Sequence, residues 1–279
     1  TLVEPQSSGI GGGAFIMFWD GQQVRTFDGR ETAPAGATEK LFLQPDGQPM
    51  GFTQAQIGGR SVGTPGVLRA LELAHRQYGR LPWAQLFTPA IQLAEQGFPI
   101  SPRLHQLIAA DASMARSPEM MAYFRNTDGS PKAIGTPLKN PALAAVFKRI
   151  ATEGADAFYS GPIAEEIVAK VQGHANPGSL SLNDLKGYSA KERAPLCSDY
   201  KRWQVCGMAP PSSGGIAVAQ TLGTLQALEA RDPRYALAAL KPEKSAQPAG
   251  LEPAPQAVHL IAEAERLAYA DRAQYVADS

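Results

Sequence analysis

The chain has 279 residues, enough for one large domain or two modest ones with a sizeable core. Hydrophobic residues make up 44% and charged residues 19% of it, a composition that excludes a disordered protein. Basic and acidic residues both number 26, so the formal net charge is zero and no nucleic-acid or anionic-membrane partner is indicated. No apolar run reaches the roughly 18–20 residues of a membrane span.

The chain opens on a glycine-rich loop, with glycine at four of the five positions from 9 to 13. The spacing Gly9-x-Gly11-x-x-Ala14 is similar to a dinucleotide fingerprint, which requires a strand before it and a helix after it. Here the strand-like run 15–19 follows the glycines, so nucleotide binding is not expected. The loop is instead predicted to pass close to other backbone and to lead into a buried strand.

Residues 13–29 predict two strands joined by a turn at Asp20-Gly21, and a loop rich in Pro and Gly follows from 33 to 63. Apolar residues at helical spacing predict a helix over Val67–Tyr78. Further helices are predicted over 82–96, 102–115, 140–153 and 162–172, with a short helix ending at Lys186.

The C-terminal part of the chain predicts a helix after residue 215 that runs to about Ala230, and a long final helix over 257–276. Between them, residues 231–255 are rich in Pro, Lys, Ala and Gln and predict an exposed excursion. Strands near the ends of a mostly helical middle indicate a mixed α/β fold with a helical lobe.

The two cysteines, Cys197 and Cys206, flank a predicted hairpin whose centre falls between Lys201 and Arg202. In that register the two cysteines face each other, with Cβ atoms roughly 4.5–5.5 Å apart. They form either a disulfide, which implies an oxidising compartment, or two free thiols that are cross-strand neighbours.

Arg30 is the sharpest single candidate for a binding residue. It follows a strand at Phe27-Asp28-Gly29 and precedes the point where the chain must leave the sheet. A guanidinium there could hold a carboxylate through two hydrogen bonds. The alternative is an internal salt bridge with Glu31 or Asp28.

A second candidate lies at Ser212, Ser213, Gly214 and Gly215, which begin the helix that follows two prolines. Free backbone N–H groups and two hydroxyls make it a possible anion or oxyanion site. The alternative is helix N-capping by Ser212 or Ser213.

His259 and Glu263 lie one turn apart on the final helix, as a pair of metal ligands would. No further His or Cys clusters with them, so ion pairs along a packed helix are expected instead. No metal site, organic cofactor or Ser-His-Asp triad is predicted.

Taken together, these segments resemble the large subunit of the γ-glutamyltranspeptidase family. The matching stretches occur in the family's order from the first residues to the last: EPQSSGIGGGAF, FDGRETAP, SVGTPGV, YGRLPWAQLFTPAIQLAEQGFPIS, NPGSLSLNDLKGY, PPSSGG and AERLAYADRAQYVAD.

The resemblance implies a precursor that cuts itself into a large and a small subunit, which share an αββα N-terminal-nucleophile hydrolase fold. It implies that residues 1–279 form a single domain, most of a large subunit. The N-terminal threonine of the small subunit would attack a γ-glutamyl amide, and water or an amino acid would resolve the γ-glutamyl-enzyme. Thr1 would lie inside the large subunit rather than serve as the nucleophile. Because the chain has no Met start and no signal-peptide pattern, we expect it to be a processed or trimmed piece.

The resemblance also implies that Arg30 binds the α-carboxylate of the γ-glutamyl group, and that the two glycine-rich loops shape the wall of the site. The expected partners are the small subunit, glutathione or another γ-glutamyl amide, and water or an acceptor amino acid, in a periplasmic or secreted enzyme. Two alternatives stay open: a cephalosporin (glutaryl) acylase of the same superfamily, and a non-catalytic, unprocessed relative.

Overall fold

The computed structural model describes residues 2–241, 243–244 and 251–277. Its contacts divide the chain into two compact units. Unit 1 consists of Thr1–Ala14 and Asp28–Lys191, and unit 2 of Phe15–Phe27 and Glu192–Ser279. Because each unit combines two separate stretches of chain, the division does not give two successive domains. A single domain over residues 1–279 therefore stays a prediction.

Unit 1 is built mainly of helices, joined by loops and one short two-stranded sheet. The helices are α1 (Phe52–Gln56), α2 (Val67–Tyr78), α3 (Trp83–Gln96), α4 (Pro102–Ala110), α5 (Pro118–Phe124), α6 (Pro141–Glu153), α7 (Asp156–Tyr159), α8 (Pro162–Gln172) and α9 (Leu182–Gly187). The paired strands are β3 (Phe98–Pro99) and β4 (Pro137–Leu138).

Two of the predicted helices of unit 1, α6 and α9, begin at residues whose side chains cap the first backbone amides. Asn140 accepts a hydrogen bond from the Leu143 amide at the start of α6, and Pro141 occupies its first turn. At α9, Ser181 and Asp184 form a reciprocal capping box. The helices α2 and α8 have the predicted bounds, because the apolar spacing that defines them also covers their ends.

The predicted helix over 102–115 is wrong in its second half. The α-helix α4 ends at Ala110, and a 3-10 helix follows over Ala112–Arg116. The break occurs at Asp111, whose backbone is extended and whose carboxylate accepts from the Ser113 amide. Asp111 therefore caps a new helical turn instead of continuing the old one.

The interior of unit 1 consists of two clusters of buried apolar side chains. One lies around Ile100, Ile108 and Phe147, and the other around Ile150 and Leu185. The helices α3 and α6 pack against each other, and the indole of Trp83 donates to the Ile150 carbonyl at 3.1 Å. Unit 1 thus contains a core formed by its own residues.

Unit 2 combines short strands with two long helices. Strand β2 (Val24–Gly29) lies between β1 (Ala14–Trp19) and β5 (Lys191–Arg193), and all three strands have end residues that belong to unit 1. In a separate sheet β6 (Leu196–Tyr200) pairs with β7 (Trp203–Gly207). The described part of this unit also contains β8 (Glu243–Lys244), β9 (Leu251–Glu252), α10 (Gly214–Arg231), α11 (Pro255–Tyr275) and two 3-10 helices, Pro233–Tyr235 and Leu237–Ala239. The predicted turn at Asp20 is confirmed, and its carboxylate accepts from the Gln22 and Gln23 amides at 2.8 Å each.

In unit 2 the middle of strand β2 is buried and the two long helices pack against each other. Thr26 and Phe27 on β2 are fully buried, and the Thr26 hydroxyl donates to the Arg193 carbonyl at 2.6 Å. The helix α10 packs against α11 and against the β6–β7 hairpin.

Within the described residues, no helix combines the length and apolar character that a membrane crossing requires. The predicted excursion over 231–255 lies partly outside the described residues.

Both units together show a mixed fold of helices and sheets, as predicted. The sequence did not predict the strand β5 or the helices α1, α5 and α7. These elements have three to seven residues, fewer than two helical turns, so they are too short for a periodic pattern to identify.

Candidate functional site

Arg30 lies directly after the last residue of β2, at the point where the chain leaves the sheet. Its backbone amide donates to the Asp28 carboxylate at 2.9 Å, and its carbonyl accepts from the Tyr188 hydroxyl at 2.7 Å. Its side chain is 60% exposed. The structure therefore holds the backbone of Arg30 from both sides while the guanidinium faces solvent.

The guanidinium of Arg30 forms an ion pair with Glu31, with 3.4 Å between its Nη1 and the Glu31 Oε2. This is the internal salt bridge that the sequence allowed as the alternative to a binding role. Only the arginine side of this pair is open to water, because the Glu31 side chain is 31% exposed and its Oε2 is buried. The guanidinium is the more exposed member of the pair, and a bidentate contact with a carboxylate would be stronger than this single contact at 3.4 Å.

Three loops of unit 1 converge on the Arg30 backbone: the opening glycine-rich loop, the end of β2, and the segment before α2. The Gly12 carbonyl accepts from the amides of Gly66 and Val67, at 3.0 and 3.1 Å. Thr32 and Thr64 exchange backbone hydrogen bonds at 3.3 and 2.8 Å. The opening loop therefore packs against the start of α2 and then enters a strand, as predicted. The expectation that this strand is buried is wrong, because Met17, Phe18 and Trp19 on β1 are 44%, 37% and 61% exposed.

Gly66 lies where these loops approach most closely. A Cβ atom at this position would overlap both the Tyr188 hydroxyl oxygen and the Gly29 carbonyl oxygen. Glycine is therefore required for Tyr188 to reach the Arg30 carbonyl. This close approach is the physical reason for the second glycine of the SVGTPGV stretch, Gly66.

Tyr188 is the residue of this site that the sequence reasoning missed. It lies in the matching stretch NPGSLSLNDLKGY, but nothing in the local pattern shows that its hydroxyl contacts residue 30. Burial and the nearby carboxylates of Asp28 and Glu31 raise the pKa of Tyr188 to about 12. The hydroxyl is a donor at neutral pH, as that of a tyrosine with the ordinary pKa of 10.0 also is, and the shift extends this state to more alkaline pH.

Ser212, Ser213, Gly214 and Gly215 lie in unit 2 at the start of α10. The Ser212 hydroxyl accepts from the Gly214 amide at 3.3 Å, while the Ser213 hydroxyl accepts from the Arg272 guanidinium at 3.0 Å. Ser213 occupies the N-cap position without making a side-chain cap. The turn therefore joins α10 to α11, and its role in a site wall stays a prediction.

Cys197 and Cys206 lie opposite each other in the β6–β7 ladder, which is the register that the hairpin predicted. Their sulfur atoms are 2.09 Å apart in a disulfide. The bridge joins the two strands of the hairpin, and three cross-strand pairs separate it from the turn at Lys201 and Arg202.

His259 and Glu263 are both exposed on α11. Glu263 forms an ion pair with Arg266 at 2.8 Å, one of the helix ion pairs that the sequence predicted. In the part of the chain that the structure describes, no three His, Cys, Asp or Glu side chains are grouped so as to hold a metal ion. Thr1 lies outside the described residues.

The sequence as a whole matches known proteins from end to end. It is 36% identical to the glutathione hydrolase proenzyme of Bacillus subtilis (strain 168), over 100% of this chain and 44% of that protein. It is 32% identical to the acylase ACY 1 proenzyme of Pseudomonas sp. (strain SE83), over 100% of this chain and 48% of that protein. The chain thus spans less than half the length of these curated relatives.

The fold is similar to that of the crystal structure of Helicobacter pylori gamma-glutamyltranspeptidase. The TM-score is 0.82 at 30% sequence identity, covering 99% of this chain and 74% of that one. The family model described as Gamma-glutamyltranspeptidase matches residues 1–279. The chain therefore belongs to the gamma-glutamyltranspeptidase family.

Proposed function

We propose that this chain is the large-subunit portion of a γ-glutamyltransferase/glutathione hydrolase, in which Arg30 holds the α-carboxylate of the γ-glutamyl donor. The single observation that carries the role of Arg30 is its exposed guanidinium on a backbone held by Asp28 and Tyr188. A free α-carboxylate distinguishes γ-linked from ordinary α-linked glutamate. A forked cation reads that group with a hydrogen-bond energy of about 1.5–3 kcal/mol.

The chemistry is assigned to a second polypeptide, the small subunit of the same precursor. The hydroxyl of its N-terminal threonine attacks the γ-amide carbonyl while its α-amine accepts the proton and passes it to the leaving amine. Water or an acceptor amino acid then cleaves the resulting ester. The names of the relatives as proenzymes support such a precursor.

We further infer that unit 2 contributes to an αββα sandwich that the small subunit completes. Support comes from α11, which buries Ala264 and Ala268 but leaves the larger Leu267, Tyr269 and Tyr275 58%, 61% and 72% exposed. Apolar side chains concentrated on one helix are expected to be covered by another layer. The disulfide between β6 and β7 supports a periplasmic or secreted location.

Arg30→Lys in the whole two-subunit enzyme tests the binding role. Lysine keeps the charge but loses the two parallel hydrogen bonds, so the KM for γ-glutamyl-p-nitroanilide should rise more than kcat falls. Arg103→Lys is the matched control. Like Arg30, Arg103 has an exposed side chain (70%) and one carboxylate contact, with 3.9 Å between its Nε and the Glu4 Oε2. An unchanged KM for both Arg30→Lys and Arg30→Ala would overturn the role of Arg30.

A glutaryl acylase is the second candidate, favoured by the match to the acylase ACY 1 proenzyme. Its substrate carries the acyl carboxylate without the α-amino group. Comparing γ-glutamyl-p-nitroanilide with glutaryl-p-nitroanilide separates the two activities, and a higher kcat/KM for the glutaryl compound would replace our proposal. A single uncut band on denaturing electrophoresis would instead indicate an unprocessed, non-catalytic relative.

A further inference from the structure

Tyr188 is held in place by a stack of side chains inside unit 1. It follows α9, is 9% exposed, and its ring stacks on that of Tyr159 with 6.1 Å between centroids and 10° between planes. The Arg69 guanidinium carbon lies 4.4 Å from the centroid of the Tyr159 ring. Rings packed in this way have little rotational freedom, so the hydroxyl of Tyr188 occupies one position.

That position is against the backbone of Arg30 and not against its side chain. The hydroxyl donates to the Arg30 carbonyl at 2.7 Å, and the Asp28 carboxylate accepts from the Arg30 amide at 2.9 Å. The two contacts fix the peptide groups on both sides of the Arg30 Cα. They therefore set the direction of its Cα–Cβ bond without using any donor of the guanidinium.

We propose that Tyr188 is a positioning residue for donor binding: its hydroxyl orients Arg30 for bidentate contact with the α-carboxylate of the substrate. This inference rests on the proposed role of Arg30. A bidentate contact requires both N–H groups to point at one carboxylate, which a flexible strand end would not maintain.

Tyr188→Phe in the whole two-subunit enzyme tests the inference, because it removes the hydroxyl and keeps the ring stack. We expect the KM for γ-glutamyl-p-nitroanilide to rise about three- to tenfold, the effect of one hydrogen bond, with kcat changed less than about twofold. The matched control is Tyr159→Phe, which deletes the hydroxyl of the stacked neighbour. Its KM should stay at the wild-type value.

A donor without the α-carboxylate separates positioning from general structural support. 4-Aminobutyryl-p-nitroanilide lacks that group, so Tyr188→Phe should leave its kcat/KM unchanged. In an Arg30→Ala background, Tyr188→Phe should add no further increase in the KM for the γ-glutamyl donor. Equal losses for both donors, or an unchanged KM for the γ-glutamyl donor, would overturn the role of Tyr188.

The two proposals fail in different ways. If Arg30→Ala leaves the KM for the γ-glutamyl donor unchanged, Arg30 does not bind the α-carboxylate, and the role of Tyr188 falls with it. If Arg30→Ala raises that KM and Tyr188→Phe does not, Arg30 keeps its role and only the positioning by Tyr188 is wrong. The temperature of thermal unfolding, measured on each variant, identifies a loss that comes from misfolding.

Discussion

Unit 1 and the helix pair of unit 2 differ in what they bury. In unit 1 the large side chains of Ile108 and Ile150 are 0% exposed, in clusters formed by that unit's own residues. In α10 and α11, the buried residues are Leu225 and three alanines, while Leu267 is 58% exposed. The difference teaches that unit 1 has a core of large side chains, whereas the α10–α11 pair buries mainly alanines and leaves larger apolar side chains exposed.

The largest effect is expected in the core of unit 1. Ile150→Ala should lower the free energy of unfolding of the whole enzyme by about 2–5 kcal/mol, because it removes buried methyl groups and leaves a cavity. Denaturant titration measures the change. Ile134→Ala is the matched control, since this isoleucine is 55% exposed and should cost little. Equal effects of the two substitutions would break the comparison.

An intermediate effect is expected at Leu267 on α11. If the small subunit covers this helix, as proposed, Leu267→Ala should destabilise the two-subunit enzyme by about 1.5–3 kcal/mol, the value of burying a leucine side chain. The measurement is denaturant titration of the two-subunit enzyme. A change below about 0.5 kcal/mol, typical of an open surface, would mean that this face stays exposed to water.

The smallest effect is expected at alkaline pH, and it sharpens the account of the buried tyrosine in unit 1. The pKa of Tyr188 is about 12 in the folded protein, against an ordinary value of 10.0. Below pH 10 the phenol is neutral in both states, so its contribution to stability is constant. Between pH 10 and 12 only the unfolded state releases the proton, so stability falls as pH rises.

Ultraviolet titration of phenolate absorbance should therefore show, among the eight tyrosines of the chain, a phase with a pKa of about 12, separate from that of Tyr159, whose pKa burial raises further. This phase should be missing in Tyr188→Phe. The burial of Tyr188 would be contradicted if the wild-type protein showed no phase with a pKa of about 12, or if Tyr188→Phe kept that phase.

Much of the fold was predictable because its signals are local. The apolar spacing of α2 and α8 and the register that places Cys197 opposite Cys206 all depend on residues close in the chain. The break at Asp111 was missed because a side-chain cap competed with a helical pattern. The strand β5 was missed because three residues carry no period.

The candidate site was predictable only in part. The position of Arg30 after a strand, together with the resemblance, pointed to the residue that could bind a carboxylate. The sequence could not choose between that role and the pair with Glu31, since both use the same guanidinium. The structure shows the pair and also shows the side chain 60% exposed.

The sequence by itself determined the family, the strand that ends just before Arg30 and the hairpin that brings the two cysteines together. Tertiary structure alone decided how the Arg30 backbone is held, because Tyr188 lies 158 positions further along the chain. Capping, periodicity and hairpin register arise from neighbouring residues and leave a pattern in the sequence. A contact between distant segments depends on the packing of every element between them, so it leaves no local pattern to read.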